Sequence, residues 1–177
     1  MSYLSENHDL NALLAFLDQA AALTELASDN QWGNRNDGFR GSTLGQHMRH
    51  TLDHVEALCT GLPKGVVNYD LRIRATNMET STSTANSRCQ FLKAELTKIG
   101  QDYTSDSKVN ALSSCSNDSE SHPQSSSFGR ELQFVISHTV HHFAILAAIC
   151  HSLDIATSAD FGIAPSTLKH QETLSAK

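Results

Sequence analysis

The feature that most limits what this chain can become lies between Ser127 and Leu153. There Leu132, Val135, Ile136, Phe143, Ile145, Leu146 and Ile149 give one helix a broad apolar surface, and the segment carries His138 and His142. Residues i and i+4 differ by about 40° around an α-helix, so the two histidines point the same way. Phe134, Ile145 and Ile149 share roughly that direction, which turns the pair toward the core. Two imidazoles buried side by side need partners for their ring nitrogens, and a metal ion is an efficient shared partner.

Three further amphipathic segments accompany this helix. Residues 6–27 place Leu10, Leu13, Leu14, Leu17, Ala20, Ala21 and Leu23 at three- and four-residue spacing. A second helix is expected over about Thr43 to Thr60, with Ser42 as N-cap and Gly61 and Pro63 closing it. A third should run from Ser81 or Thr82 to Gly100, contributing Ala85, Cys89, Leu92, Leu96 and Ile99. Between them, Asn30 to Gly41 reads as a loop anchored by Trp32 and Phe39, and Val66 to Glu79 as irregular. Residues 103–127, rich in Ser, Asn and Asp, form a long connection with room for a short hairpin around Lys108 to Ser114. Residues 156–177 are expected to pack at Phe161 to Leu168 and then fray. The expectation is therefore an all-α four-helix bundle, one domain over 1–177 with its core at about 5–155, a long connection between helices 3 and 4, and a C-terminal tail.

The second helix carries a histidine stripe of its own. His47, His50 and His54 fall within an arc of about 60°. Any of the three could supply a third ligand opposite His138 and His142, with His50 central in the arc. Three protein ligands with open positions for water is the pattern of a catalytic metal site, and a bound water or thiol there would be acidified. The remaining histidines, His47, His54 and His141, would then support the ligands or carry protons. Asp70, Arg72 and Arg74 are candidates for the mouth of such a site, weighed against a plain solvated loop. The competing readings are core histidines hydrogen-bonded to Asp53, Glu56 or backbone carbonyls, and a pH-sensing cluster. No HEXXH is present, which removes a zincin protease. Arg130 and Glu131 read as an ion pair or a helix-start feature, and Cys150 as core.

Bulk properties narrow the function classes. Among 177 residues there are ten histidines against 13 lysines and arginines, and the net charge is −6. With no Lys/Arg cluster, a nucleic-acid surface is not expected. The run from Phe143 to Cys150 is too short to span a bilayer, and the N-terminal residues lack a basic signal region, so no membrane association is expected. Four scattered cysteines without a CxxC suit reduced thiols and a cytoplasmic setting.

Two segments carry a family resemblance. Thr43-Leu44-Gly45-Gln46-His47-Met48-Arg49-His50 resembles the second-helix segment of the DinB/YfiT-like superfamily, and the run from Gly129 to His142 is similar to its last-helix HxxxH segment. Order and spacing agree over roughly residues 5–155. The resemblance implies a four-helix bundle with a three-histidine metal site, often nickel or zinc, and assigns the ligands to His50, His138 and His142. It also implies frequent homodimers and, among characterised members, metal-dependent activation of a low-molecular-weight thiol. Gln46 stands where many members carry Trp, and Phe143 where many carry Arg. The expected function is a metal-dependent enzyme of thiol S-transferase or hydrolase type. The alternative is a non-catalytic metal- or ligand-binding bundle, of the kind that serves a stress response.

Overall fold

A computed structural model describes residues 7–71, 76–114 and 121–175. The chain is mostly helical, with a small three-stranded sheet. The helices are α1 (His8–Leu26), α2 (Asp29–Trp32), α3 (Leu44–Gly61), α4 (Thr82–Asp102), α5 (Phe128–Ser152) and α6 (Pro165–Ser175). The four long helices α1, α3, α4 and α5 close a ring: α1 packs on α4 and α5, and α3 packs on the same two.

Their starts are set by short polar side chains accepting the orphan N–H groups of the first turn. Asn7 caps α1, Ser81 caps α4 and Ser127 caps α5. Thr43, not Ser42, caps α3, and it does so in a reciprocal box with Gln46: each side chain accepts from the other's backbone N–H, at 3.0 and 3.2 Å. The enclosed core includes Leu10, Leu13, Met48, Leu52, Leu92, Leu96, Leu132 and Leu146, all fully buried. Phe16 of α1 meets Phe143 of α5 edge-on, with ring centroids 5.6 Å apart.

Four elements depart from the sequence expectation. Asp29–Trp32 within the aromatic-anchored loop is a helical turn with its own capping box. Residues 66–68, expected to be irregular, form β1 (Val66–Asn68). β1 runs parallel to β2 (Lys108–Leu112), and β2 pairs antiparallel with β3 (Gln124–Ser127), so the hairpin partner of residues 108–112 lies beyond Ser114. The expected C-terminal tail contains α6.

By length and composition α5 is apolar enough to cross a bilayer. Within this fold it is a core helix, burying Leu132, Val135, Phe143, Leu146 and Ile149 between α1 and α3.

Candidate metal centre

On α3 the buried apolar arc of Met48, Leu52, Val55 and Leu58 and the histidine arc of His47, His50 and His54 are neighbours around the helix axis. On α5 the same holds for Val135, Leu146 and Phe143 beside His138 and His142. Docking the two apolar arcs therefore brings the two histidine stripes edge to edge. This places the histidines at the border of the core: His142 and His54 are buried, His47, His50 and His138 are half-buried, and His141 is exposed.

His50, His138 and His142 converge. Their candidate ligand atoms all lie within 4.8 Å of one another. Their ring centroids form a near-equilateral triangle, 4.9 Å from His50 to His138, 4.6 Å from His50 to His142 and 4.5 Å from His138 to His142. Nitrogens about 2.1 Å from a tetrahedral ion would hold imidazole centroids about 5 Å apart, so the three rings fit a shared ion with small rotations. Imidazole suits zinc and nickel among divalent ions.

The other histidines flank this triangle on two chemically distinct sides. His47 Nδ1 lies 3.1 Å from His142 Nδ1, and His47 Nε2 lies 3.0 Å from Ser42 Oγ, which donates to the Phe39 carbonyl at 2.7 Å. These contacts admit one consistent proton order. Because the Ser42 hydroxyl proton goes to Phe39, Ser42 Oγ accepts from His47 Nε2–H. A neutral His47 then has a bare Nδ1, which accepts from His142 Nδ1–H and leaves His142 Nε2 as the ligand atom. Burial lowers the pKa of His47, with the nearby His141 charge adding to it, which favours the neutral ring this order requires.

The opposite flank is aromatic. His54 lies against His138 with centroids 3.8 Å apart, and its Nδ1–H donates to the His50 carbonyl at 2.9 Å. Tyr69 stacks on His54 at 5.6 Å and contacts Phe134 at 4.8 Å. The Tyr69 hydroxyl donates to Glu131 at 2.7 Å, and Ser126 donates to the other Glu131 oxygen at 2.5 Å. Burial, followed by the Glu131 charge and hydrogen bond, pushes the Tyr69 hydroxyl far above its usual pKa, so it remains a donor.

Asp70 is exposed and accepts from the Ser114 amide and hydroxyl at 3.1 and 3.0 Å, an arrangement that organises the loop. Arg72 and Arg74 lie outside the described residues. Asp53 and Glu56, considered as histidine partners, take arginines: Asp53 accepts from Arg49 at 2.8 Å, and Glu56 pairs with Arg88. Cys150 is buried in the core, its thiol pushed up to about 11 by burial. Glu131, read from sequence as an ion-pair or helix-start residue, does lie in the first turn of α5, and it is also the buried acceptor of Tyr69 and Ser126. Its position seven residues before His138, two turns along the same face, was the available signal.

The chain is similar to an FK506-binding protein 5 of Rhizopus delemar, with 37% identity over 112 residues covering 59% of this chain and 27% of that protein. The chain thus spans well under two thirds of this relative's length. No family model matches the chain, and no solved structure matches it.

Proposed function

We propose that this chain is a DinB/YfiT-like four-helix bundle that holds one divalent ion, nickel or zinc, on His50, His138 and His142, and uses it to activate a thiol or water. The observation that carries the reading is the convergence of three imidazoles from two helices, with ligand atoms within 4.8 Å of one another. A bound ion would supply acidity, lowering the pKa of a thiol or water in an open position. The chain's own residues supply the rest. His47 and Ser42 fix the tautomer and ring orientation of His142 through their hydrogen-bond chain. His54, Tyr69 and Phe134 wall the opposite side against solvent and hold His138 in place by ring contact.

Equilibrium dialysis of tag-free protein against nickel, zinc and cobalt, followed by elemental analysis, tests this directly. One ion per chain is expected, lost in His50→Ala and His138→Ala and kept in His151→Ala, an exposed histidine near the end of α5. No bound ion in the wild type, or full retention in His138→Ala, would overturn the proposal. If the ion binds, a thiol-conjugation screen with generic electrophiles separates an enzyme from a non-catalytic binder.

A further inference from the structure

Beside the histidine triangle lies a cavity of about 570 Å³, between the loop 35–42, the first turn of α3 and Ile145 of α5. Arg35, Phe39, Arg40, His47 and Ile145 form its principal walls. Both arginines are exposed, no carboxylate lines the cavity, and neither guanidinium forms an ion pair among the described residues.

The loop fixes the backbone that carries both cations, and it also seats the Arg35 guanidinium. Asn36 organises it: its carbonyl accepts from the Phe39 and Gly41 amides at 3.0 and 2.9 Å, its amide donates to the Ser42 carbonyl at 3.1 Å, and its side-chain oxygen accepts from Gly38 at 3.1 Å. The Asn36 side-chain amide also donates to Ser152 at 2.5 Å, which ties the loop to α5. Arg40 is held at φ 55°, ψ 31°, a left-handed conformation that non-glycine residues adopt only occasionally. Arg35 Nε donates to the Gly41 carbonyl at 3.2 Å, and its guanidinium lies over the Gly41 α-carbon. A Cβ at Gly41 would meet Nη2 at 3.0 Å, so the glycine provides the space Arg35 occupies.

We propose that this cavity binds a small organic carboxylate, held by Arg35 and Arg40, with its carbon stem against Phe39 and Ile145. A guanidinium fork matches a planar carboxylate with paired, charge-assisted hydrogen bonds. The apolar side chains of Phe39 and Ile145 favour a carbon skeleton over an inorganic anion in a groove that opens to solvent. The cavity is one imidazole from the triangle, since His47 lines it and touches His142. Resting on the metal-centre reading above, the carboxylate is then the anionic end of the molecule whose reactive end reaches the ion.

Calorimetric titration of chelator-treated, metal-free protein isolates the cavity from the ion. Saturable binding of hexanoate is expected, with none for the uncharged hexanamide and none for inorganic phosphate. Arg35→Gln combined with Arg40→Gln should weaken hexanoate by at least about tenfold, with Arg40→Lys falling between. Hexanamide or phosphate binding as tightly as hexanoate, or an unaffected double variant, would overturn the site. Cobalt-loaded protein tests the link to the triangle. 4-Mercaptobutyrate should produce the thiolate-to-cobalt absorption band at lower concentration than 4-mercaptobutanamide, and the double variant should erase that advantage. Equal concentrations in the wild type would overturn the link. Hexanoate binding to a protein that never takes up cobalt would refute the metal centre and leave the cavity standing, whereas cobalt uptake without hexanoate binding would do the reverse.

Discussion

His142 is where the hydrogen-bond order of the site converges. With Nδ1 3.1 Å from His47 Nδ1, only one ring nitrogen remains for a ligand role, and His47 decides which one. A neighbour that fixes a ligand's tautomer typically changes ion affinity 10–100-fold when removed, about that range being expected for His47→Ala. His47→Asn puts a carbonyl oxygen close to where Nδ1 sits and should recover most of the loss, which a purely steric role for His47 would not allow. Competition against a chromophoric chelator gives both affinities. Wild-type affinity in His47→Ala would remove the chain from His142 to Ser42 as a determinant of the site. The triangle itself was readable from sequence because i, i+3 and i+4 spacing converts directly into direction on a helix. Spacing alone left three candidates on the α3 stripe with His50 central among them, and it was the family resemblance that singled out His50. The structure separates them by pairing: His47 meets Ser42 and His142, His54 lies behind His138, and His50 completes the triangle. Arg35 and Arg40 escaped notice for a related reason. Their significance depends on a loop conformation set by Asn36 hydrogen bonds, and no periodicity announces it.

Between elements, the approach of α3 to the turn at residues 76–79 depends on a glycine. A Cβ at Gly45 would lie 2.1 Å from the Glu79 carbonyl oxygen and 2.6 Å from its carbon, both backbone atoms that cannot swing aside. Arg49 of α3 reinforces the contact, donating to Glu79 at 2.7 Å and to the buried Asp53 at 2.8 Å. Trp32, fully buried, donates to the Met78 carbonyl at 2.8 Å and pins the same turn from α2. Gly45→Ala should destabilise the fold by about 1–3 kcal/mol through overpacking. Trp32→Phe should cost about 1–3 kcal/mol by leaving the Met78 carbonyl buried without its donor. Urea denaturation checks both, and a stable Gly45→Ala would show that the turn can move. Helix positions were legible because each long segment repeats its apolar residues at helical spacing and starts on a capping side chain. The sheet was not. β1 is three residues long, and its parallel partner lies some forty residues on, across α4, so no local alternation marks the pairing.

At the scale of the whole molecule, two linkages set stability. Burial pushes the Cys59 and Cys89 thiols up to about 12 and Cys150 to about 11, from an ordinary value of 9.0. Between pH 9.0 and those values the unfolded chain releases thiol protons that the folded chain retains. The unfolded state gains from each release, so stability holds below that window and falls as pH rises through it. Denaturation midpoints should decline above about pH 9, and Cys89→Ala should flatten the decline; a midpoint constant to pH 10.5 would contradict the burial of these groups. The second linkage runs through the histidines. α3 and α5 carry all three proposed ligands, so an ion held by His50, His138 and His142 would tie two neighbouring helices together in the folded state alone. At a free concentration a hundredfold above its Kd, such an ion adds about 2.7 kcal/mol. For a chain of this length, each kcal/mol moves Tm by about 2–4 °C, giving a rise of about 5–10 °C. Adding nickel or zinc to chelator-treated protein should produce that rise, and excess chelator should reverse it. His138→Ala should melt at the same temperature with and without the ion, because the linkage vanishes when the ligand set is broken. A metal-dependent shift that survives in His138→Ala would instead mean that the ion binds elsewhere on the chain.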